Sequence, residues 1–308
     1  MVLARLDDLV QRYKLRRPVP TNQPMPERSA PSDGSLTTKI TTDALAREIS
    51  ALGLQQANAL EGPSKVWLLM HFRDPRILRG DIDQMRECVR WIPRGATVMD
   101  WGCGPALPSL ILSRLRPDLV LRASNFDMEL QTYKILWDAA GLKVDRLEHA
   151  WKLPFPDDSF DAVISRGVLE HVPNEQMSLA EIFRVLRHEG KFIVSGLPAQ
   201  YSLLEWFNRV AGRLNHPRRY TLAYSKKLLM VCGFHVVWSA FRCSCPQAIP
   251  WADPLFRVWE RIPIGRHLTQ NLVLVGAKSV RGMGDQIFAR HNLASTLRRI
   301  ESGGTDSR

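Results

Sequence analysis

Residues 98–106 read VMDWGCGPA, and the fold turns on them. An apolar pair, Val98 and Met99, runs into Asp100, and Gly102 and Gly104 then flank Cys103. Glycine has no Cβ, so a turn rich in it lets backbone approach a ligand closely. A triphosphate loop needs G-x-x-x-x-G-K-[ST], and no Lys-Ser or Lys-Thr follows here. A dinucleotide fingerprint needs G-x-G-x-x-G; Gly102 and Gly104 fit, but Leu107 stands at the third glycine and an acid precedes the first. Pyrophosphate faces an uncharged helix N-terminus, whereas an aspartate at a strand end suits a ligand with a cationic part.

Outward from this turn, strand-like and helix-like segments alternate. TVMD is a short apolar strand, and a helix is predicted over 107–115. LVLRASN is a second strand, followed by a helix over 129–140; KVDRLEHA is a third and FDAVIS a fourth. A helix over about 174–186 precedes GKFIVSGL, and FHVVWSAF and NLVLVGAK make two further strands. Such alternation predicts an α/β fold with a doubly wound, mostly parallel seven-stranded sheet and helices on both faces. Helical patterns also run from about Thr42 toward Trp91, interrupted at Gly62-Pro63. Residues 1–41 read as an amphipathic helix over 2–16 and a flexible linker rich in Pro, Ser and Thr. Residues 42–280 form the main domain, with insertions at about 199–222 and 243–268, and 281–308 form a basic tail.

The net charge of +11 is unevenly spread. Residues 41–200 hold 19 basic and 21 acidic side chains, whereas residues 201–308 hold 16 and 6. A basic surface attracts phosphates, anionic membranes or acidic substrates, or simply keeps a protein soluble. No run of 18 apolar residues exists, so no transmembrane helix is expected. The N-terminus does not read as a secretory signal, and five cysteines without framework spacing suit a reduced, cytoplasmic protein.

A ligand with a cationic part is available in S-adenosylmethionine, which carries an ammonium and a sulfonium. VMDWGCG is similar to the first motif of class I S-adenosylmethionine-dependent methyltransferases, V-L-D-x-G-C-G-x-G. In order behind it, NFDME (125–129), AWKLPFPDDSFDAV (150–163), SRGVLEHV (165–172), FRVLRHEGKFIV (183–194), HPRRYT (216–221) and CGF (232–234) resemble further landmarks. The nearest group is the type 11 methyltransferase domains, and the resemblance covers about residues 90–280. It implies a Rossmann-like methyltransferase fold with S-adenosyl-L-methionine as cofactor. It places Asp100 toward the ammonium, Gly102, Cys103 and Gly104 in the cofactor loop, and Asp127 on the ribose hydroxyls. Asp127 lies 23 positions after Gly104, near the spacing of ribose-binding acids in related folds. Phe126 and Met128 would flank the adenine, His149, Ala150 and Trp151 line its edge, and Ser165 and Arg166 sit where ligands bind at a strand's carboxyl end. The chain departs from the pattern at Ala106, where the motif ends in glycine, and at His149, where an Asp is usual.

Methyl transfer from a sulfonium is an in-line displacement, for which the protein aligns the acceptor and removes a proton. His171, after the fourth strand, is the candidate general base. No metal is expected: in the Glu-x-x-Glu-His cluster of ubiquinone-pathway relatives the first Glu is here Gly167. SRGVLEH in place of Asn/Asp-Pro-Pro-Tyr argues against nucleic-acid amino methylation. Leu203, Phe207, Val210 and Leu214 form one helical stripe, and Trp251, Leu255, Trp259 and Ile262 another. Both read as a lid on the acceptor pocket or a contact with an anionic membrane. Arg213, Arg218 and Arg219 are candidates for an anionic group on the acceptor. The expected activity is methyl transfer to a small-molecule or lipid-like acceptor, at oxygen. The alternatives are a binding or assembly protein that keeps the fold without turnover, and an RNA methyltransferase.

Overall fold

The computed structural model describes residues 40–126, 132–202, 206, 210, 216–242, 250–259, 262 and 269–278. All lie within one unit of the chain, Gly34–Arg308. The expected helix over 2–16, the linker and the basic tail fall outside the described residues.

Three helices come first: α1 (Thr42–Asn58), α2 (Gly62–Phe72) and α3 (Pro75–Cys88). Thr41 starts α1 by accepting the Ala44 amide at 3.2 Å, and Asp74 starts α3 by accepting the Arg76 amide at 2.9 Å. Each cap satisfies a donor that the first turn leaves without an intrahelical partner. On α1 the buried positions Leu45, Ala46, Ile49, Gly53, Gln56 and Ala57 recur three or four residues apart, which makes one apolar face.

The alternating part follows: β1 (Thr97–Trp101), α4 (Leu107–Leu115), β2 (Val120–Asn125), α5 (Lys134–Ala139), β3 (Val144–Arg146), β4 (Phe160–Arg166), α6 (Glu175–Val185) and β5 (Leu186–Pro198). Then come α7 (Leu222–Val231), β6 (Phe234–Arg242), α8 (Asp253–Trp259) and β7 (Asn271–Lys278). The strand order is β3-β2-β1-β4-β5-β7-β6. Strands β1 to β5 pair in parallel, and β7 inserts antiparallel to both β5 and β6.

Side chains alternate across the sheet. Val98, Ile164, Ile193, Val273 and Val275 pack with α1, α3 and α4, while Met99, Val163, Phe192, Val194, Leu272 and Leu274 pack with α6 and α7. Both faces are covered, which is why the strands read as apolar runs rather than polar–apolar alternation. Each fully buried aliphatic or Phe side chain contributes about 1.5–3 kcal/mol.

Element by element, the expected boundaries hold for α4, β6 and β7 to within a residue. The helix expected over 129–140 is described only as Lys134–Ala139; residues 127–131 lie outside the description. Strand β5 begins at Leu186 rather than Gly190, because Leu186 pairs with Phe160 before the register shifts and Ala162 takes Lys191. β1 lies between β2 and β4, so the chain leaves it toward one edge of the sheet and returns on the other side. Ligands of open parallel sheets bind at the carboxyl ends of the strands beside such a reversal.

Candidate functional site

The turn after β1 is tied down by its own backbone. The amides of Gly102 and Cys103 both donate to the Ser124 carbonyl on β2, at 2.8 and 2.9 Å, and Ala106 donates to the Cys103 carbonyl at 2.7 Å. The two glycines therefore serve different ends. A Cβ on Gly102 would meet Val168 at 2.7 Å and Phe126 at 3.1 Å, so this glycine is demanded by packing. A Cβ on Gly104, at φ +47°, would meet nothing within 4 Å, so it borders open space. The Gly104 carbonyl accepts from Trp137 Nε1 at 2.8 Å, which fixes the loop to α5. Ala106 also adopts a left-handed conformation, at φ 57°, as the residue that starts α4.

Asp100 ends β1 with its carboxylate buried, 2% exposed, and accepts from Ser109 Oγ at 2.7 Å. Burial pushes its pKa up to about 6, against the opposing pull of the Ser109 hydrogen bonds and the Arg166 charge. A buried anion of this kind is complementary to a cation lodged beside it. The buried carboxylate of Asp100 and the open face of Gly104 belong to the same strand-to-turn segment. Asp127 and Met128, expected on the ribose and adenine, lie outside the described residues.

The remaining cofactor candidates lie after β2, after β3 and at the end of β4. The Leu147 amide donates to the Asn125 carbonyl at 2.8 Å, which brings residues 147–151 beside the strand. Ala150 is buried, and His149 stacks on Trp151 with centroids 5.0 Å apart and planes 4° from parallel. Phe126 meets Trp101 edge-on at 5.9 Å. Ser165 is buried at the end of β4. Arg166 makes a bidentate pair with Asp81 of α3, at 2.9 and 2.8 Å. Its fork is therefore engaged in joining the leading helices to the carboxyl end of the central strand β4, through a partner 85 residues away in the chain.

His171 lies in the turn after β4, where its amide donates to the Val168 carbonyl at 2.9 Å. Its side chain is half exposed, and its Nε2 stands 3.8 Å from Oε1 of Glu170, which is buried. The ring of His216 lies with its centroid 5.9 Å from that of His171. Burial, then the neighbouring His216 and Arg218, hold His171 below the ordinary imidazole range. His216 was missed as a site residue; its only signal was its place in HPRRYT. Arg218 corrects another expectation. Its guanidinium donates to the carbonyls of Glu170, Val172 and Pro173, and so clamps the loop after β4 instead of presenting a free fork to an acceptor. Tyr220 adds a second tie by donating to Glu175 Oε1 at 2.7 Å. Arg213 lies outside the described residues, and Arg219 is half buried.

The segment that carries this geometry has counterparts among known proteins. Residues 99–194 match the model of a methyltransferase domain, Methyltransf_11. The chain carries a class I methyltransferase domain of the type 11 group. This domain type takes S-adenosyl-L-methionine as its cofactor. The domain is 26% identical over 191 residues to sterol 24-C-methyltransferase ERG6 of Saccharomyces cerevisiae, covering 56% of this chain and 47% of that protein. It is 29% identical over 146 residues to 2-methyl-6-phytyl-1,4-hydroquinone methyltransferase of Synechocystis sp., covering 41% and 43%. The chain thus spans about half the length of the curated relatives it matches. In fold, the methyltransferase domain resembles a chain of a solved complex that contains the Haloferax volcanii Trm112 methyltransferase activator. That likeness has a TM-score of 0.53 at 18% identity and covers 76% of this chain and 97% of the other.

Proposed function

We propose that this protein transfers a methyl group from S-adenosylmethionine to a lipid-like small molecule, at an oxygen. The observation that carries the acceptor class is a cavity of about 440 Å³ at the carboxyl end of β5, whose lining joins Tyr201, Tyr220, Leu222 and Phe241 with the polar Gln200, Thr221 and Lys226. Such a lining suits an apolar acceptor with one polar or anionic group. The names of the sterol and hydroquinone relatives are in keeping with an acceptor of that class. They also favour a second reading, transfer to carbon, since the yeast relative is named for a carbon position.

Bound S-adenosylmethionine supplies an activated methyl group on a good leaving group. The chain's own residues do the rest. Asp100 faces the ammonium, Gly104 leaves room for the ligand beside the loop, and Asp127 accepts from the ribose hydroxyls. Phe126 and Met128 flank the adenine, with His149, Ala150 and Trp151 along its edge and Ser165 at the floor. His171, neutral at physiological pH, accepts the proton that an acceptor hydroxyl loses and passes it to solvent.

The acceptor reaches the cavity from a bilayer. Tyr201, Trp206, Val210, Trp251, Leu255 and Ile262 expose large apolar surface in the basic last third of the chain, and apolar side chains beside cations suit a water–lipid interface. Among the described residues no helix is long and apolar enough to cross a membrane, so the contact proposed is peripheral.

The test is transfer of a labelled methyl group to cell extract divided into lipid, small-molecule and RNA fractions. Label in the lipid fraction, on an oxygen of the product, is expected. Label on carbon would move the reading to the second form, and label in RNA alone would overturn the acceptor class. Cofactor binding with no transfer to any fraction would leave a binding or assembly protein that keeps the fold.

A further inference from the structure

We infer that Glu170, His171 and His216 form a binding site for one divalent transition-metal ion. The three side chains each offer a ligand atom, and these atoms lie within 4.8 Å of one another. Ligands about 2.1 Å from a shared ion stand roughly 3–4.2 Å apart, depending on the angle between them. The 3.8 Å between Glu170 Oε1 and His171 Nε2 is too long for a hydrogen bond and falls within that span.

The backbone beneath the cluster is already held. Arg218 donates to the carbonyls of Glu170, Val172 and Pro173, so the loop that carries two of the ligands is braced by a residue two positions from the third. Tyr220 anchors the same segment twice more. Its backbone exchanges hydrogen bonds with Pro198 and Gln200, both at 2.8 Å, and its hydroxyl reaches Glu175. A metal site requires this kind of outer support to orient its ligands. Glu170 is 1% exposed, and the cost of holding a carboxylate in such a place falls when a cation sits beside it.

The donor set decides the class of ion. Two imidazoles with one carboxylate suit zinc, iron(II), cobalt or manganese, whereas magnesium and calcium prefer oxygen alone. His171 and His216 reach solvent, so an ion here would keep positions open toward solvent. A nitrogen that binds the ion cannot also take a proton. In the loaded protein the acceptor's oxygen would instead lose its proton as a ligand of the metal, which lowers the pKa of bound oxygen. The site itself rests on the cluster's geometry and does not depend on the transfer reaction.

The test uses the full chain, treated with chelator and titrated with Co²⁺ in the absence of S-adenosylmethionine, with visible absorption as the readout. One ion per chain is expected, with a spectrum of nitrogen and oxygen ligands. His216→Ala and Glu170→Gln should each weaken Co²⁺ binding about 10-fold or more, the scale on which even outer-shell changes act. Circular dichroism and calorimetric S-adenosylmethionine binding verify that each variant is folded. His216 is partly exposed whereas Glu170 is buried, so its variant is the safer of the two. Failure of the wild-type chain to bind Co²⁺, wild-type affinity in both folded variants, or a thiolate charge-transfer band from cysteine ligation would each overturn the site. Because the readout needs no methyl transfer, a failed acceptor screen leaves it standing, and a failed metal titration leaves the transfer reaction standing.

Discussion

Replacing Asp100 with Asn should change how stability and cofactor affinity depend on pH. The carboxylate is buried at the end of β1, with a pKa of about 6 against an ordinary 3.8. At about 1.4 kcal/mol per pH unit, that difference is about 3 kcal/mol. The folded-state pKa is raised, so the contribution of Asp100 to stability is fully present below pH 3.8 and is lost as pH rises through 6. Asn keeps the shape and can still pair with Ser109 Oγ, but it does not titrate. Denaturant unfolding of both proteins without ligand, from pH 4 to pH 8, should show the wild type losing about 2.5 kcal/mol relative to Asp100→Asn, the rest of the difference having been lost below pH 4. His171 titrates in both proteins, so it cancels in the difference. Affinity should move the other way. A cationic ligand needs the ionised carboxylate, of which only about one-tenth is present at pH 5 for a pKa near 6. Binding of S-adenosylmethionine to the wild type should therefore weaken roughly 10-fold between pH 7 and pH 5, while Asp100→Asn binds weakly and with a flatter profile. The ligand's own carboxyl and amino groups keep their charges over that interval. A stability difference that does not vary with pH would refute the buried-anion argument. An equally steep binding profile in the variant would remove Asp100 from the ammonium.

Replacing Gly104 with Val should cost about 1–2 kcal/mol of stability, because the position is left-handed, and should abolish cofactor binding in a domain that still folds; calorimetry on the folded variant checks this. Asp127→Ala should weaken S-adenosylmethionine by about 1–3 kcal/mol, the scale of lost hydrogen bonds to a charged group, and unchanged affinity would take the residue out of the site. Ala106→Gly relieves a left-handed alanine worth about 1–2 kcal/mol but removes a buried methyl group and adds chain entropy, so its stability should stay within about 1 kcal/mol of wild type in urea unfolding. Co-sedimentation with anionic vesicles should weaken but persist at high salt, since charge is screened over about 10 Å at 0.1 M while apolar burial is not. Trp206→Ser with Trp259→Ser should reduce the persistent part, and no binding at low salt would defeat the membrane contact.

What could be read from residues alone was whatever depends on near neighbours in the chain. Strand β7 was visible in NLVLVGAK as an apolar run, although its alternate residues face opposite layers. The motif VMDWGCG and the order of landmarks behind it carried the fold and the type of domain. Packing across the sheet decided the rest. Gly102 looks like a ligand-binding glycine in sequence, yet Val168, 66 positions later, fills the space its Cβ would need. Arg166 and Arg218 look like free cations, but Asp81 and a row of loop carbonyls engage them. His171 and His216 stand 45 residues apart and meet only because the segment after β5 folds back over the loop after β4. Contacts of that kind leave no periodic trace, since a polar pair needs one residue at each end and any spacing between them. Which residues pair is settled by the order in which the strands lie side by side.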